Sequence, residues 1–296
     1  MFDRRFFLAA AAWTGLLAAA PAMAAESGFV SDRITIVAEG EGPDVVLIPG
    51  MTSSPSAWRP STADMPGYRY HYVQVKGFAG TPAEGNAEGV VAAPVAAEIA
   101  RYIAAEGLEK PALVGHSMGG TMALMIAARH PDSVSRVMVV DQLPFMGAVF
   151  GPPGTTSESI RPTADALRAQ MAANTPEERA GRIEAMTTAM VRNEAQRAIV
   201  RAEGLASDPE TTANAFHELI VTDLRPELPA ITIPVTVLYV TPAGVPLTDA
   251  QIDAVYSSAY APLEGAKLVR IPDSAHFIMS DNPERFQAEM KAFLPD

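Results

Sequence analysis

Chemistry in this chain begins with Ser117, set in the run Pro111-Ala-Leu-Val-Gly115-His116-Ser117-Met118-Gly119-Gly120 and followed by the apolar stretch Thr121 to Ala128. A short hydrophobic run that ends in Gly-x-Ser-x-Gly and resumes as helix lifts its serine out of a tight strand-to-helix turn. Such a turn is strained, and side chains two residues to either side would collide with it. Gly115 and Gly119 remove those side chains, and Gly120 lets the helix approach its sheet. The Ser117 hydroxyl then stands at a helix N-terminus, where the Met118 amide can serve a developing oxyanion.

A serine hydroxyl is a poor nucleophile until a base takes its proton, so the five histidines are the next residues to weigh. His116 is adjacent to Ser117 on the turn, so its side chain points elsewhere. His71 lies within a strand, His130 in the last turn of a helix before Pro131, and His217 in a helical region. Only His276, in Asp273-Ser274-Ala275-His276-Phe277, follows a strand directly into a loop, at the end of a sheet where such sites assemble. His276 is the expected base.

These residues require elements to carry them. Short buried runs at Val45–Ile48, Tyr70–Val75, the segment before Ser117, Val137–Val140, Val235–Val240 and Lys267–Ile271 read as strands, and Val30–Ala38 alternates like a strand with one wet face. Helical spacing at Val95, Ile99 and Ile103 predicts a helix over Ala92–Ala105, with others at Asp249–Tyr260 and Pro283–Phe293. Strands alternating with helices imply an α/β fold, a parallel sheet covered on both faces. From Gln142 to Leu228 the strand signal vanishes. Pro144–Pro162 reads as a mobile loop, and three helical stretches follow at Thr163–Ala173, Pro176–Glu203 (with Gly181 as its soft spot) and Pro209–Leu224.

The 296 residues suffice for one large domain or two small ones. The net charge of −12 argues against nucleic acid and anionic membrane surfaces as partners. Cysteine is absent, which excludes disulfides, thiolate metal sites and a thiol nucleophile; no tight histidine cluster suggests a metal. Residues 1–24 read as an export signal: Arg4 and Arg5, an apolar run from Phe6 to Ala20, and the cleavage pattern Ala22-Met23-Ala24. Arg4-Arg5-Phe6-Phe7-Leu8 resembles a twin-arginine signal, so a periplasmic or secreted bacterial protein is expected, with no stable membrane insertion after cleavage. Removing that segment, which holds Asp3, Arg4 and Arg5, leaves a charge of about −13.

Taken together, Pro49-Gly50-Met51-Thr52-Ser53-Ser54 with Trp58, Gly77-Phe78-Ala79-Gly80, Gly115–Gly120, and His276 with Pro283-Glu284-Arg285-Phe286 resemble the α/β-hydrolase superfamily from about Val30 to Leu294. The resemblance implies an eight-stranded, mostly parallel sheet with helices on both faces. It divides the chain into a core at 27–141 and 229–296 and a helical cap at 142–228. It also implies serine hydrolysis of a small-molecule ester without a cofactor, and the amides of Met51 and Met118 as oxyanion donors, their side chains lining an acyl pocket. The family's commonest acid position, after the strand Val235–Val240, reads Thr241-Pro242-Ala243-Gly244-Val245-Pro246 and holds no carboxylate. Asp141, at the tip of Val137–Val140, fits an alternative position used by some members, and Asp249 is a second candidate. A serine at the elbow argues against dehalogenase and epoxide-hydrolase chemistry, which use a carboxylate nucleophile. The missing Gly-Gly-Pro-Gly run disfavours iminopeptidase activity. A perhydrolase, a carbon–carbon bond hydrolase, a lyase and a ligand-binding pseudoenzyme stay open.

Overall fold

The computed structural model describes residues 25–26 and 28–294; the export signal read over residues 1–24 lies outside them. In chain order the elements are β1 (Ala25–Glu26), β2 (Ile34–Gly40), β3 (Asp44–Ile48), α1 (Arg59–Ala63), β4 (Arg69–Val75), α2 (Ala92–Ala105), β5 (Ala112–His116), α3 (Met118–Arg129) and β6 (Arg136–Val140). There follow α4 (Ser157–Ala173), α5 (Pro176–Met190), α6 (Glu194–Ala206), α7 (Pro209–Val221), β7 (Val235–Tyr239), α8 (Asp249–Tyr260), β8 (Lys267–Arg270), α9 (Ile278–Asp281) and α10 (Pro283–Phe293).

The strands form one eight-stranded sheet in the order β1-β2-β4-β3-β5-β6-β7-β8. The pairs β1–β2 and β2–β4 are antiparallel and the rest are parallel. Strand β3 is followed by β4 on one side and β5 on the other, so the order reverses there. In open sheets, ligands bind beyond the carboxyl ends at such a point.

Alternation along the strands fills two cores. Val46 and Ile48 of β3, Leu113 of β5 and Val139 of β6 pack with α2, α3 and α8 on one face. Val45, Leu47, Val114 and Val140 pack on the other, against Trp58 and against Phe286, Met290 and Phe293 of α10. Burial on both faces explains why the central strands read as unbroken apolar runs.

Between β6 and β7 the chain places helices α4 to α7, of which α4 packs on α7 and α5 on α6. Two expectations differ here. The segment read as a loop to Pro162 becomes helical at Ser157, because Thr156 and Ser159 form a reciprocal capping box; Pro162 lies inside this helix and cannot donate to the Glu158 carbonyl. The helix expected over Pro176–Glu203 is broken after Met190 and not at Gly181. Asp281 accepts from the amides of Arg192 and Asn193, both at 2.9 Å, and Asn193 caps α6 by accepting from Gln196. The insertion is tied to the core by Glu218 of α7. Its buried carboxylate accepts from the amides of Val91, Ala92 and Ala93 at 2.6–2.8 Å and caps the start of α2.

Candidate active site

Ser117 sits between β5 and α3 with φ 53° and ψ −122°, a sparsely populated backbone state for a residue with a side chain. Such states cost about 1–3 kcal/mol and persist only where surroundings over-determine them. Here the surroundings are close-packed backbone. A Cβ at Gly115 would lie 2.2 Å from the Gly119 carbonyl oxygen, and one at Gly119 would lie 2.1 Å from that of Ile48. The Ser117 amide donates to the Val140 carbonyl at 2.9 Å, holding the turn in register with β6.

Asp141 follows β6 directly, also at positive φ (53°), with its amide donating to the Leu238 carbonyl at 2.7 Å. One carboxylate oxygen accepts from the Val240 amide (3.2 Å) and the Tyr256 hydroxyl (3.1 Å). The other lies 2.6 Å from His276 Nδ1. A carboxylate accepts, so Nδ1 carries the proton and the Nε2 lone pair is left for another partner. Burial and the neighbouring Asp141 push the Tyr256 phenol well above its ordinary pKa, so it remains a donor. Asp249 is engaged elsewhere: it accepts from the Thr241 hydroxyl at 2.7 Å and from Arg270 at 2.6 Å. Of the two acids considered from sequence, Asp141 is the one the fold brings to His276.

The loop carrying His276 is fixed at three points. The Ala275 amide donates to Asp281 at 2.9 Å, the Phe277 amide donates to the Met190 carbonyl at 3.3 Å, and the His276 carbonyl accepts from His116 Nε2 at 3.0 Å. His116 therefore does not simply point away. It is fully buried, packs its ring 4.5 Å from that of His276, and leaves Nδ1 unpartnered. Burial first, and the nearby His276 second, press its pKa well below the ordinary value, so it is neutral. The remaining histidines have other partners: His71 bonds Asp44 and Tyr102, His217 bonds Asp165, and His130 ends α3.

After β3, Gly50 to Ser53 form a turn closed by the Ser53 amide on the Gly50 carbonyl (3.2 Å), with Thr52 at φ 60°. What holds this loop was not visible in its own residues. Glu203 of α6 accepts from the Ser54 hydroxyl, from the Ser56 hydroxyl at 2.7 Å and from the Ser54 amide at 3.2 Å. One turn on, Ser207 accepts from the Ala79 amide at 2.9 Å in the loop after β4. Helix α6 thus clamps both loops from above. A lone glutamate in a surface helix carries no sequence signal for such a role.

Ser117, His276 and Met51 line one cavity of about 580 Å³, together with Gln142 and Phe277 from the sheet side and Leu167, Met171, Arg182, Ile183 and Met186 from α4 and α5. Met118 does not fulfil the expectation for its side chain, which is buried in the core under α3; only its backbone remains available. Among the described residues, no cluster of three or more His, Cys, Asp or Glu is arranged to hold a metal ion, and no helix is long and apolar enough to cross a membrane.

Residues 45–289 match the sequence profile described as the alpha/beta hydrolase family. This chain belongs to that family. A curated relative from Aliivibrio salmonicida (strain LFI1238), named pimeloyl-[acyl-carrier protein] methyl ester esterase, is 28% identical over 205 residues, 68% of this chain and 74% of its own length. Among solved structures, the enol-lactonase from Burkholderia xenovorans LB400 superposes with a TM-score of 0.72 at 19% identity, covering 89% of this chain and 96% of the other. The esterase EaEST from Exiguobacterium antarcticum gives 0.71 at 21% identity, covering 88% and 94%. At such identities these two similarities establish the fold of this α/β hydrolase and nothing further.

Proposed function

We propose that this α/β hydrolase cleaves carboxylic esters through an acyl-enzyme, with Ser117 as nucleophile, His276 as base, Asp141 as the acid that orients it, and the amides of Met51 and Met118 as oxyanion donors. The observation that carries the reading is the 2.6 Å contact of Asp141 with His276 Nδ1 beside a cavity that His276 shares with the strained Ser117. The curated relative's name, a methyl ester esterase, supports an ester as the substrate.

In this mechanism Ser117 Oγ attacks the ester carbonyl while its proton passes to His276 Nε2. Negative charge gathers on the carbonyl oxygen and accepts hydrogen bonds from the two backbone amides, one of them an unpaired donor at the start of α3. Asp141 keeps the imidazole in the required tautomer and offsets the imidazolium charge. Collapse breaks the carbon–oxygen bond, and His276 returns the proton to the departing alcohol. A water molecule, deprotonated by the same imidazole, then attacks the acyl group; the acyl–oxygen bond to Ser117 breaks as His276 returns that proton to Oγ, and the acid leaves. Tyr256 and the Val240 amide act behind the carboxylate as positioning groups. The helices between β6 and β7 serve as a cap over the cavity, and residues 1–24 direct the protein to the periplasm or outside the cell.

A panel of p-nitrophenyl esters of increasing acyl length tests this. Turnover of at least one ester is expected, with kcat/KM lower by about 10⁴-fold or more in Ser117→Ala. Equal turnover by the two proteins would remove Ser117 from the reaction.

A further inference from the structure

Helix α5 carries two arginines one turn apart, Arg179 and Arg182, and both line the cavity that contains Ser117 and His276. Their circumstances differ. Arg179 donates to the carbonyls of Gly204, Leu205 and Ser207 at 2.6–2.9 Å and so completes the C-terminal end of α6. Arg182 has no carboxylate partner among the described residues. The carbonyl oxygen of the Asn174 amide, turned toward it, accepts from Nη1 at 2.7 Å, and that is a neutral partner. Burial and the positive charge of Arg179 both lower its pKa from the ordinary guanidinium value, and no neighbouring anion raises it. Glu178 also lines the cavity, but its carboxylate accepts from the Thr175 amide in the capping box of α5.

A half-buried guanidinium without a counter-charge is stabilised by any anion that reaches it, and planar bidentate pairing makes a carboxylate a good fit. The position of Arg182 sets the spacing. The C-terminal end of α5 is pinned beside the base, because the Met190 carbonyl accepts from the Phe277 amide. Arg182 lies eight residues earlier on that helix, roughly 12 Å along its axis. Between them the lining is Ile183, Met186, Met190 and Thr187, whose hydroxyl is spent on the Ile183 carbonyl at 2.6 Å, so the stretch is mainly apolar.

We infer that the cavity accepts esters whose acyl chain ends in a carboxylate, which Arg182 binds across an apolar spacer; the substrate class is the half-esters of medium-length dicarboxylic acids. This inference rests on the ester-hydrolase reading above and adds the substrate class to it. Arg182 is the residue that reads the far end.

The test compares monomethyl suberate with methyl octanoate, equal in length and differing in terminal charge, and monomethyl succinate with methyl butyrate. Wild-type protein is expected to favour the suberate half-ester in kcat/KM by about tenfold or more, the effect of one charge-assisted hydrogen bond. The succinate half-ester, too short to span the spacing, shows no such preference. In Arg182→Met the suberate-to-octanoate ratio falls to about one or below, while Arg182→Lys keeps part of it. A ratio near one in wild type, or an unchanged ratio in Arg182→Met, overturns the assignment. If neither methyl ester turns over, the hydrolase reading is judged by the p-nitrophenyl panel above, and the anion site by calorimetry in Ser117→Ala. There, monomethyl suberate binding weakened about tenfold or more by adding Arg182→Met supports the site, and equal affinities refute it.

Discussion

The carboxyl edge of the sheet and two helices inserted after β6, α4 and α5, are built on opposite plans. At the edge, α3 has an unbroken buried run from Met118 to Ala127, and Ser117 and Asp141 are both held at positive φ by packed backbone. In the insertion, α5 has a single buried residue, Thr187, and α4 only Ile160 and Ala164. Rigid packing suits groups that must meet a reacting carbonyl within a fraction of an ångström. A half-exposed wall of Leu167, Met171, Ile183 and Met186 suits recognition, because its side chains change without disturbing the sheet. On the proposed mechanism the difference separates reaction from specificity, and α6 joins the two: Glu203 belongs to the insertion yet grips the loop that carries Met51.

Substitutions at the edge should therefore act on kcat and leave the fold intact. Asp141→Asn is expected to lower kcat by about 10²–10⁴-fold, since the amide no longer enforces the Nδ1–H tautomer of His276. Steady-state kinetics with an unaltered circular-dichroism spectrum would show it. Near-normal turnover would mean that the strained aspartate serves only the backbone of β6 and β7.

At the joint between the two regions the effect should be smaller. Glu203→Ala frees Ser54 and Ser56 without removing an oxyanion donor, so kcat should fall roughly tenfold with a lesser change in KM, short of the 10²–10³-fold typical when a donor itself is lost. Glu203→Gln, which keeps an acceptor for the Ser54 amide, should recover part of the loss. A change confined to KM would place Glu203 with the recognition wall instead.

The smallest effect concerns stability. His116 is neutral in the fold with a depressed pKa, whereas an unfolded chain protonates it near pH 6.5, about the ordinary value. Below that pH the unfolded state binds more protons, so the contribution of His116 is complete above about 6.5 and is lost as pH falls toward its folded value. His71, also depressed by burial, adds to the same slope. Denaturant melts between pH 5 and 7.5 should show stability declining on the acid side, less steeply in His116→Gln. An equal slope in both proteins would assign the decline to His71 and other groups.

Sequence reading reached much of the edge and little of the wall, for a physical reason. The elbow is a local steric device: Gly115 and Gly119 admit no Cβ, so the residue types themselves report the geometry. The central strands are buried on both faces and announce themselves as apolar runs. Helix α2 lies where its apolar spacing places it, and α8 begins at the local capping box of Thr248 and Gln251. By contrast, the break after Met190 depends on Asp281, and the clamp on the Met51 loop depends on Glu203, some 150 residues from its partners. Single polar residues paired across the fold have no local pattern. The choice of Asp141 over Asp249 likewise became legible only with Arg270 and His276 in view.

The central claim is that Ser117 is an activated nucleophile, and intact-mass analysis after treatment with a fluorophosphonate tests it most directly. One adduct per chain, mapped to Ser117, abolished in Ser117→Ala and formed far more slowly in His276→Ala, is the predicted result. An unlabelled folded protein, or an adduct that survives in Ser117→Ala, would contradict it.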